Sequence, residues 1–230
     1  MAYTRRRAPF SRRKKPFRRR VKRRFIRKTP LFRSVGIPKC RYTKLRWAQH
    51  FQFSLSSSAG VTADFRLNGP YDPLVAAGGT QPYYFDQYTA MYQRYRVYGC
   101  KVTIRACCTC ASSNIVWPTM MLTSYCDAAP AWSTMDVAST SKGSILKIVP
   151  CNQNSVVISK YFNLPQLSGT AKREYNVAEV FQALCSTLPT RSMNCTVWWQ
   201  NDASTDITPS YWIHMTYYVK FFDPVEPAGS

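Results

Sequence analysis

Acidic residues are absent from the first forty-six positions. Met1 to Arg46 contains no Asp or Glu and holds 20 of the 32 Lys and Arg of the chain. A segment without acids cannot neutralise itself through internal ion pairs, so it is left to neutralise a polyanion. Long apolar runs are missing too. No stretch approaches the ~18 uninterrupted apolar residues of a membrane-spanning helix, and Arg5, Arg6 and Arg7 stand where a secretory signal would place its apolar stretch. A mitochondrial transit peptide is also Arg-rich and acid-poor, but Pro9, Pro16 and Pro30 would break its amphipathic helix.

Catalytic signatures are equally scarce. There is no phosphate-binding loop, no G-x-G-x-x-G and no G-x-S-x-G. The two histidines, His50 and His214, lie in segments that read as sheet, with no orienting carboxylate close in sequence. Pairing in space stays open. The 11 acidic residues are scattered, which argues against a two-metal nuclease site. Cys107, Cys108 and Cys110 form the tightest thiol group, but in a strand Cys107 faces away from the other two. No C-x-x-C pair completes a tetrahedral set. Nine cysteines, an odd number without a secretory signal, fit reduced thiols in a cytosolic or nuclear protein. Asn194-Cys195-Thr196 matches a glycosylation pattern that has no use without secretion. The expectation is a protein that is not an enzyme and needs no metal or cofactor.

What is present divides at the charge boundary. The 184 residues after Arg46 hold 12 basic and 11 acidic residues, a net of +1. The formal +21 is a +20 tail on a nearly neutral body. Residues 1–40 read as a disordered arm, because like charges repel and few apolar residues offset the entropy of ordering. Its phosphate-binding candidates are Arg5, Arg6, Arg7, Arg12, Arg13, Lys14, Lys15, Arg18, Arg19, Arg20, Lys22, Arg23, Arg24, Arg27, Lys28 and Arg33. Phe10, Phe17, Phe25 and Phe32 recur every seven or eight residues among them. Either that spacing is chance in a low-complexity segment, or the rings stack on unpaired bases while the guanidinium groups hold phosphates.

Residues 41–230 read as one all-β domain. Phe51, Phe53 and Leu55 alternate with His50, Gln52 and Ser54; a Ser-rich turn follows, then Val61, Ala63, Phe65 and Leu67 alternate again. A Gly/Pro-rich loop spans 68–84. Asp86 is placed to cap a short helix carrying Tyr88, Met91, Tyr92 and Tyr95. From Tyr98 to Cys110, Cys100, Val102, Ile104, Ala106, Cys108 and Cys110 face in. Further strands are expected near Ile115 to Tyr125, with Pro118 implying an edge or bulge, and at Ile145 to Val149, Val156 to Tyr161, Asn194 to Gln200 and Tyr211 to Phe222. Cys195, Val197 and Trp199 read as inward, as do Ile213, Met215, Tyr217, Val219 and Phe221. Asn176 with Glu179 suggests a capping box for a second short helix. About eight strands without βαβ alternation leave a jelly roll or an immunoglobulin-like sandwich. The long loop and the helix before the third strand favour a single eight-stranded antiparallel jelly roll.

Three phrases then carry a resemblance. Gln87-Tyr88 through Met91-Tyr92-Gln93-Arg94-Tyr95-Arg96-Val97-Tyr98-Gly99-Cys100-Lys101-Val102 resembles the helix and third main strand of the capsid proteins of circoviruses and related Rep-encoding circular single-stranded DNA viruses. Tyr217-Tyr218-Val219-Lys220-Phe221-Phe222-Asp223 resembles their closing strand, and Asn152 to Leu167 another shared segment; Cys107 to Lys142 departs most. The resemblance implies a jelly roll that self-assembles into an icosahedral shell, commonly of sixty copies, and packages circular single-stranded DNA with its arms. It also implies that Arg5 to Arg7, Arg12 to Lys15 and Arg18 to Arg24 serve as a nuclear localisation signal. The partners implied are further copies, a DNA genome, host import receptors and an unidentified cell-surface receptor; the locations are the virion and the host nucleus. Sixty such arms would supply ~1,200 positive charges, the order needed for a genome of ~2 kilobases. Pro70 to Tyr84, Trp117 and Trp132 are candidates for contacts between copies. The other readings are a small RNA-virus capsid protein and a cellular nucleic-acid-binding protein with a basic tail. The neutral body argues against the latter, whose folded face would itself be basic.

Overall fold

The computed structural model describes residues 37–225 apart from 77, 111–115, 129, 131, 152, 153 and 203. In chain order, β1 (Cys40–Gln52) and β2 (Gly60–Arg66) precede α1 (Phe85–Thr89) and the long β3 (Tyr92–Cys110). β4 (Thr119–Cys126), α2 (Met135–Ser139), β5 (Ile145–Ile148) and β6 (Val156–Asn163) follow. Next come α3 (Leu164–Leu167), α4 (Lys172–Val177), a 3-10 turn at Glu179–Phe181 and β7 (Gln182–Leu184). β8 (Met193–Gln200) and β9 (Ile207–Pro224) close the chain.

The strands form two antiparallel sheets, one ordered β1-β9-β3-β6 and the other β2-β8-β4-β5. That order is the double Greek key of a jelly roll and not an immunoglobulin sandwich. The eight expected strands are all present. β7 is a ninth, three residues long, added beside the N-terminal end of β3. The Ser-rich turn after β1 passes from one sheet to the other, since β1 pairs with β9 and β2 with β8. Asn201 fastens that turn through its side-chain amide, which donates to the carbonyls of Ser56 and Thr205.

The inward rows follow from period-two alternation. Leu45, Tyr217, Cys100 and Phe162 form one row across four strands, and Gln49, Ile213, Ile104 and Ile158 another. From the facing sheet, Phe65, Cys195, Val197 and Trp199 close on them. Cys195, Val197 and Trp199 are buried, as are all five inward residues expected of the closing strand. Cys40, Cys100, Cys107, Cys126, Cys185 and Cys195 are free thiols. The core holds by packing, which a body of this length can sustain alone.

Several local expectations change. α1 ends at Thr89, so Tyr92 and Tyr95 belong to β3 and not to a helix; its N-cap is Tyr84, with φ 70°, and Asp86 lies inside its first turn. The Tyr spacing fits a helix, but strand pairing with β9 over seventeen positions overrides five residues of local preference. Asn176 and Glu179 do not form a capping box: α4 precedes that position, and Val177 ends it. Pro118 stands before β4, which is paired on both sides by β5 and β8, so it neither marks an edge nor bulges the strand. Part of the strand expected from Ile115 lies outside the described residues, as does the side chain of Cys110.

One polar side chain ties the α4 segment to the sheet. Arg96, buried in β3, donates to the carbonyls of Asn176 and Ala178 and to the Gln182 side chain. Tyr175 adds a bond from its hydroxyl to the Val97 carbonyl at 2.6 Å. Arg96→Ala strands three acceptors, so urea unfolding should show a loss of roughly 3 kcal/mol; a loss under about 1 would show that the segment is held otherwise.

Burial pushes the Cys100 and Cys195 thiols and the Tyr217 phenol up, and raises Cys185 to about 12. Unfolded thiols ionise near about pH 8.5 and phenols near about 10, so above that range the unfolded chain holds fewer protons than the folded one. The contribution is intact below about pH 8 and lost as pH rises. Tm should therefore fall steadily above about pH 9; a level Tm up to about pH 11 would contradict the buried placement.

Candidate nucleic-acid interface

The sheet β1-β9-β3-β6 has a second set of rows, facing away from the core. Lys44, Tyr218, Gly99 and Asn163 form one, and Arg46, Thr216, Lys101 and Tyr161 the next. Ala48, His214, Thr103 and Ser159, then His50, Trp212, Arg105 and Val157, continue toward one end. Toward the other end lie Tyr42, Lys220, Arg96 and Gln182, then Cys40, Phe222, Arg94 and Leu184. These rows contain seven Lys or Arg and no Asp or Glu. Asp223 stands just past the last row, where its carboxylate meets Arg94 at 3.6 Å.

Rings separate the charges. Lys44 Nζ sits 5.3 Å from the Tyr218 ring and Lys220 Nζ 5.7 Å from that of Tyr42. Trp212 is half exposed, at 49%, and packs on His50 with ring centroids 5.0 Å apart. Cations spaced along strands with interleaved rings suit phosphates and unpaired bases better than a protein acid patch.

The opposite sheet presents another character. Asp64 accepts from Thr196 there, and Arg66 is engaged with Asp72 at 2.7 Å. α2 covers part of that face, with Met135 and Ala138 on Met121 and with Trp132 and Trp198 alongside. The net charge of +1 after Arg46 therefore conceals one basic face. The expectation that the folded body lacks a basic face does not hold. Each strand pairs Lys44 with Arg46, or Lys101 with Arg105, at even spacing; that was the available signal. Only the cross-strand register shows that their neighbours include no acid.

The arm residues expected to bind nucleic acid, Arg5 through Arg33 with Phe10, Phe17, Phe25 and Phe32, lie outside the described residues. His50 bonds through Nε2 to the Ser210 hydroxyl at 2.8 Å. His214 is exposed on the same face, with its ring against Trp212. Cys107 and Cys108 take opposite faces of β3, and the Cys108 sulfur lies 2.9 Å from that of Cys151. Among the described residues no group of three or more His, Cys, Asp or Glu could hold a metal ion. Asn194 is buried in β8, out of reach of a glycosylating enzyme. Trp117 is exposed rather than in the core, whereas Trp132 packs against Tyr125. In the loop before α1, Tyr83 and Tyr84 are exposed.

No family model matches the chain, and no curated protein matches it. Among solved structures it is similar to the BFDV capsid protein in a decameric form, at 14% identity over 79% of this chain and 99% of that one, with a TM-score of 0.45. It is also similar to a Desmodium yellow mottle tymovirus structure, at 16% identity over 100% of both chains and a TM-score of 0.42. A tobacco necrosis virus structure aligns at 10% identity over 81% of this chain and 98% of that one, with a TM-score of 0.38. The jelly-roll assignment rests on strand order and not on these likenesses.

If the face binds phosphates, replacing Lys44, Lys101 and Arg105 together by Gln removes three contacts. The slope of log affinity against log salt for a single-stranded oligonucleotide should then shrink by roughly 2. Fluorescence anisotropy between about 0.1 and 0.4 M salt measures it; an unchanged slope would mean that the face makes no phosphate contact.

Proposed function

We propose that the chain is a viral capsid protein that assembles with its own copies into a small icosahedral shell around a single-stranded nucleic acid, which the family resemblance makes circular DNA. The charge segregation carries this reading. The acid-free segment of 20 cations ends within β1, and β1 is an edge strand of the one sheet whose outward rows add five more, Arg94, Arg96, Lys101, Arg105 and Lys220. Jelly rolls serve lectins and cupins as well as shells, so the fold alone does not assign the role.

In the shell, arm and basic face together form the lining. Each phosphate contact is weak and sequence-independent; many copies held at high local concentration make the total firm. Free strand edges support self-association. β5 ends its sheet with exposed Leu146 and Ile148, a surface that soluble monomers usually blunt or cover. The Arg and Lys clusters of the arm would engage nuclear import receptors before assembly.

The basic face also favours a second reading, a cellular nucleic-acid-binding module. Self-assembly separates the two. Full-length protein mixed with circular single-stranded DNA should sediment as one large closed species, and the DNA inside should resist nuclease. A monomer at every salt concentration, or bound DNA that is digested at the free rate, would favour the module. Sequencing the nucleic acid in particles from the natural source then decides DNA against RNA.

A further inference from the structure

The basic face contains a groove lined by rings as well as by cations. It encloses about 800 Å³ between the outward side of the sheet and the α3–α4 segment. Its floor is tyrosine: Tyr42, Tyr98, Tyr161 and Tyr218, contributed by four different strands. Tyr42 and Tyr98 lie with ring centroids 6.2 Å apart, and Tyr161 meets Tyr218 edge-on at 5.6 Å. Lys44 and Lys172 also line it, with side-chain amides from Asn163, Gln166 and Asn176. No Asp or Glu lines it.

Three features show that this groove is maintained by the fold. Gly99 lies at the centre of its row, and a Cβ there would meet the Tyr161 hydroxyl and ring carbon well inside contact distance. Only glycine lets Tyr161 lie across β3. The register between β3 and β9 also shifts between Val97 and Gly99, and Tyr98 is the additional residue at that irregularity. Finally, Arg96 and Tyr175 hold the far wall to the sheet through the bonds described above.

We infer that this groove is a base-stacking site of the folded body, which takes one or two unpaired nucleobases of single-stranded nucleic acid. The tyrosine faces stack on bases, the lysines hold the flanking phosphates, and the amides reach base edges. A duplex would be excluded because its bases are already stacked. The site deepens the capsid reading, since it would give the lining a preference for single strands that the arm charges cannot supply. A phosphate-only site would not need four rings.

The test uses the full-length protein, in which the arm also binds, so the readout must locate the contact. A dT oligomer of about ten nucleotides carrying 5-iododeoxyuridine is photo-crosslinked at about 0.5 M salt, where arm binding is weakened. The adducts are then mapped by mass spectrometry. Adducts at Tyr42, Tyr161 or Tyr218 are expected. Tyr161→Leu should lower affinity at that salt at least about fivefold, whereas Tyr161→Phe, which keeps the ring, should not. An oligomer of the same length with abasic sites should bind Tyr161→Leu and the unaltered protein alike. Adducts confined to residues 1–36 would overturn the inference, as would equal affinities for the base-bearing and abasic oligomers. So would Tyr161→Leu abolishing assembly while leaving base-dependent binding intact, which would make the groove a contact between copies. Closed particles that protect DNA without groove adducts would sink this site and leave the capsid reading standing. Groove adducts on a protein that never assembles would do the reverse.

Discussion

Everything in this body depends on β9 being hydrogen-bonded along both edges. It meets β1 over thirteen positions, from Ser210 to Phe222, and β3 over seventeen, with one irregularity between Val97 and Gly99. A strand locked on both sides cannot slip by one residue without turning its whole side-chain set over. Ile213, Met215, Tyr217, Val219 and Phe221 are thereby committed to the core, and Trp212, His214, Thr216, Tyr218 and Lys220 to the outside. Stability and surface chemistry are two sides of one strand.

The basic face follows from that commitment. β1 brings Lys44 and Arg46 to one flank of β9, and β3 brings Lys101 and Arg105 to the other. No single strand has a high charge density. Pairing them makes a basic field out of three ordinary alternating sequences, and the same rows hold no acid to compensate it. The α3–α4 segment, anchored by Arg96, turns part of the field into a walled groove.

Much of the fold was legible because alternation is a strong signal where it is long. The closing strand and the run from Cys100 to Cys108 show it without interruption, and both lie inward as read. Short elements were not legible. Tyr88, Met91, Tyr92 and Tyr95 satisfy a helical spacing, yet pairing with β9 claims the last two for β3. Asn176 and Glu179 have the right spacing for a capping box but fall across the end of α4. The arm's charge is read from composition alone and its residues lie outside the described ones, while the candidate face was hardly legible. The arm announces itself by composition, whereas the basic rows and the tyrosine groove depend on register between strands as distant as Lys44 and Tyr218, which no local pattern carries. Lys44 and Arg46, the last cations of the acid-free opening segment, thus lie on a face of the body that a net count of +1 had concealed.

The central claim is that this sheet face lines the inside of a closed shell of copies. Imaging full-length particles assembled with single-stranded DNA by electron cryomicroscopy tests it most directly, because it shows which side of the jelly roll faces the lumen. The rows bearing Lys44, Lys101 and Arg105 are predicted to face inward, with nucleic-acid density against Tyr161 and Tyr218. A shell in which those rows point to the exterior, or lie buried between copies, would contradict the account.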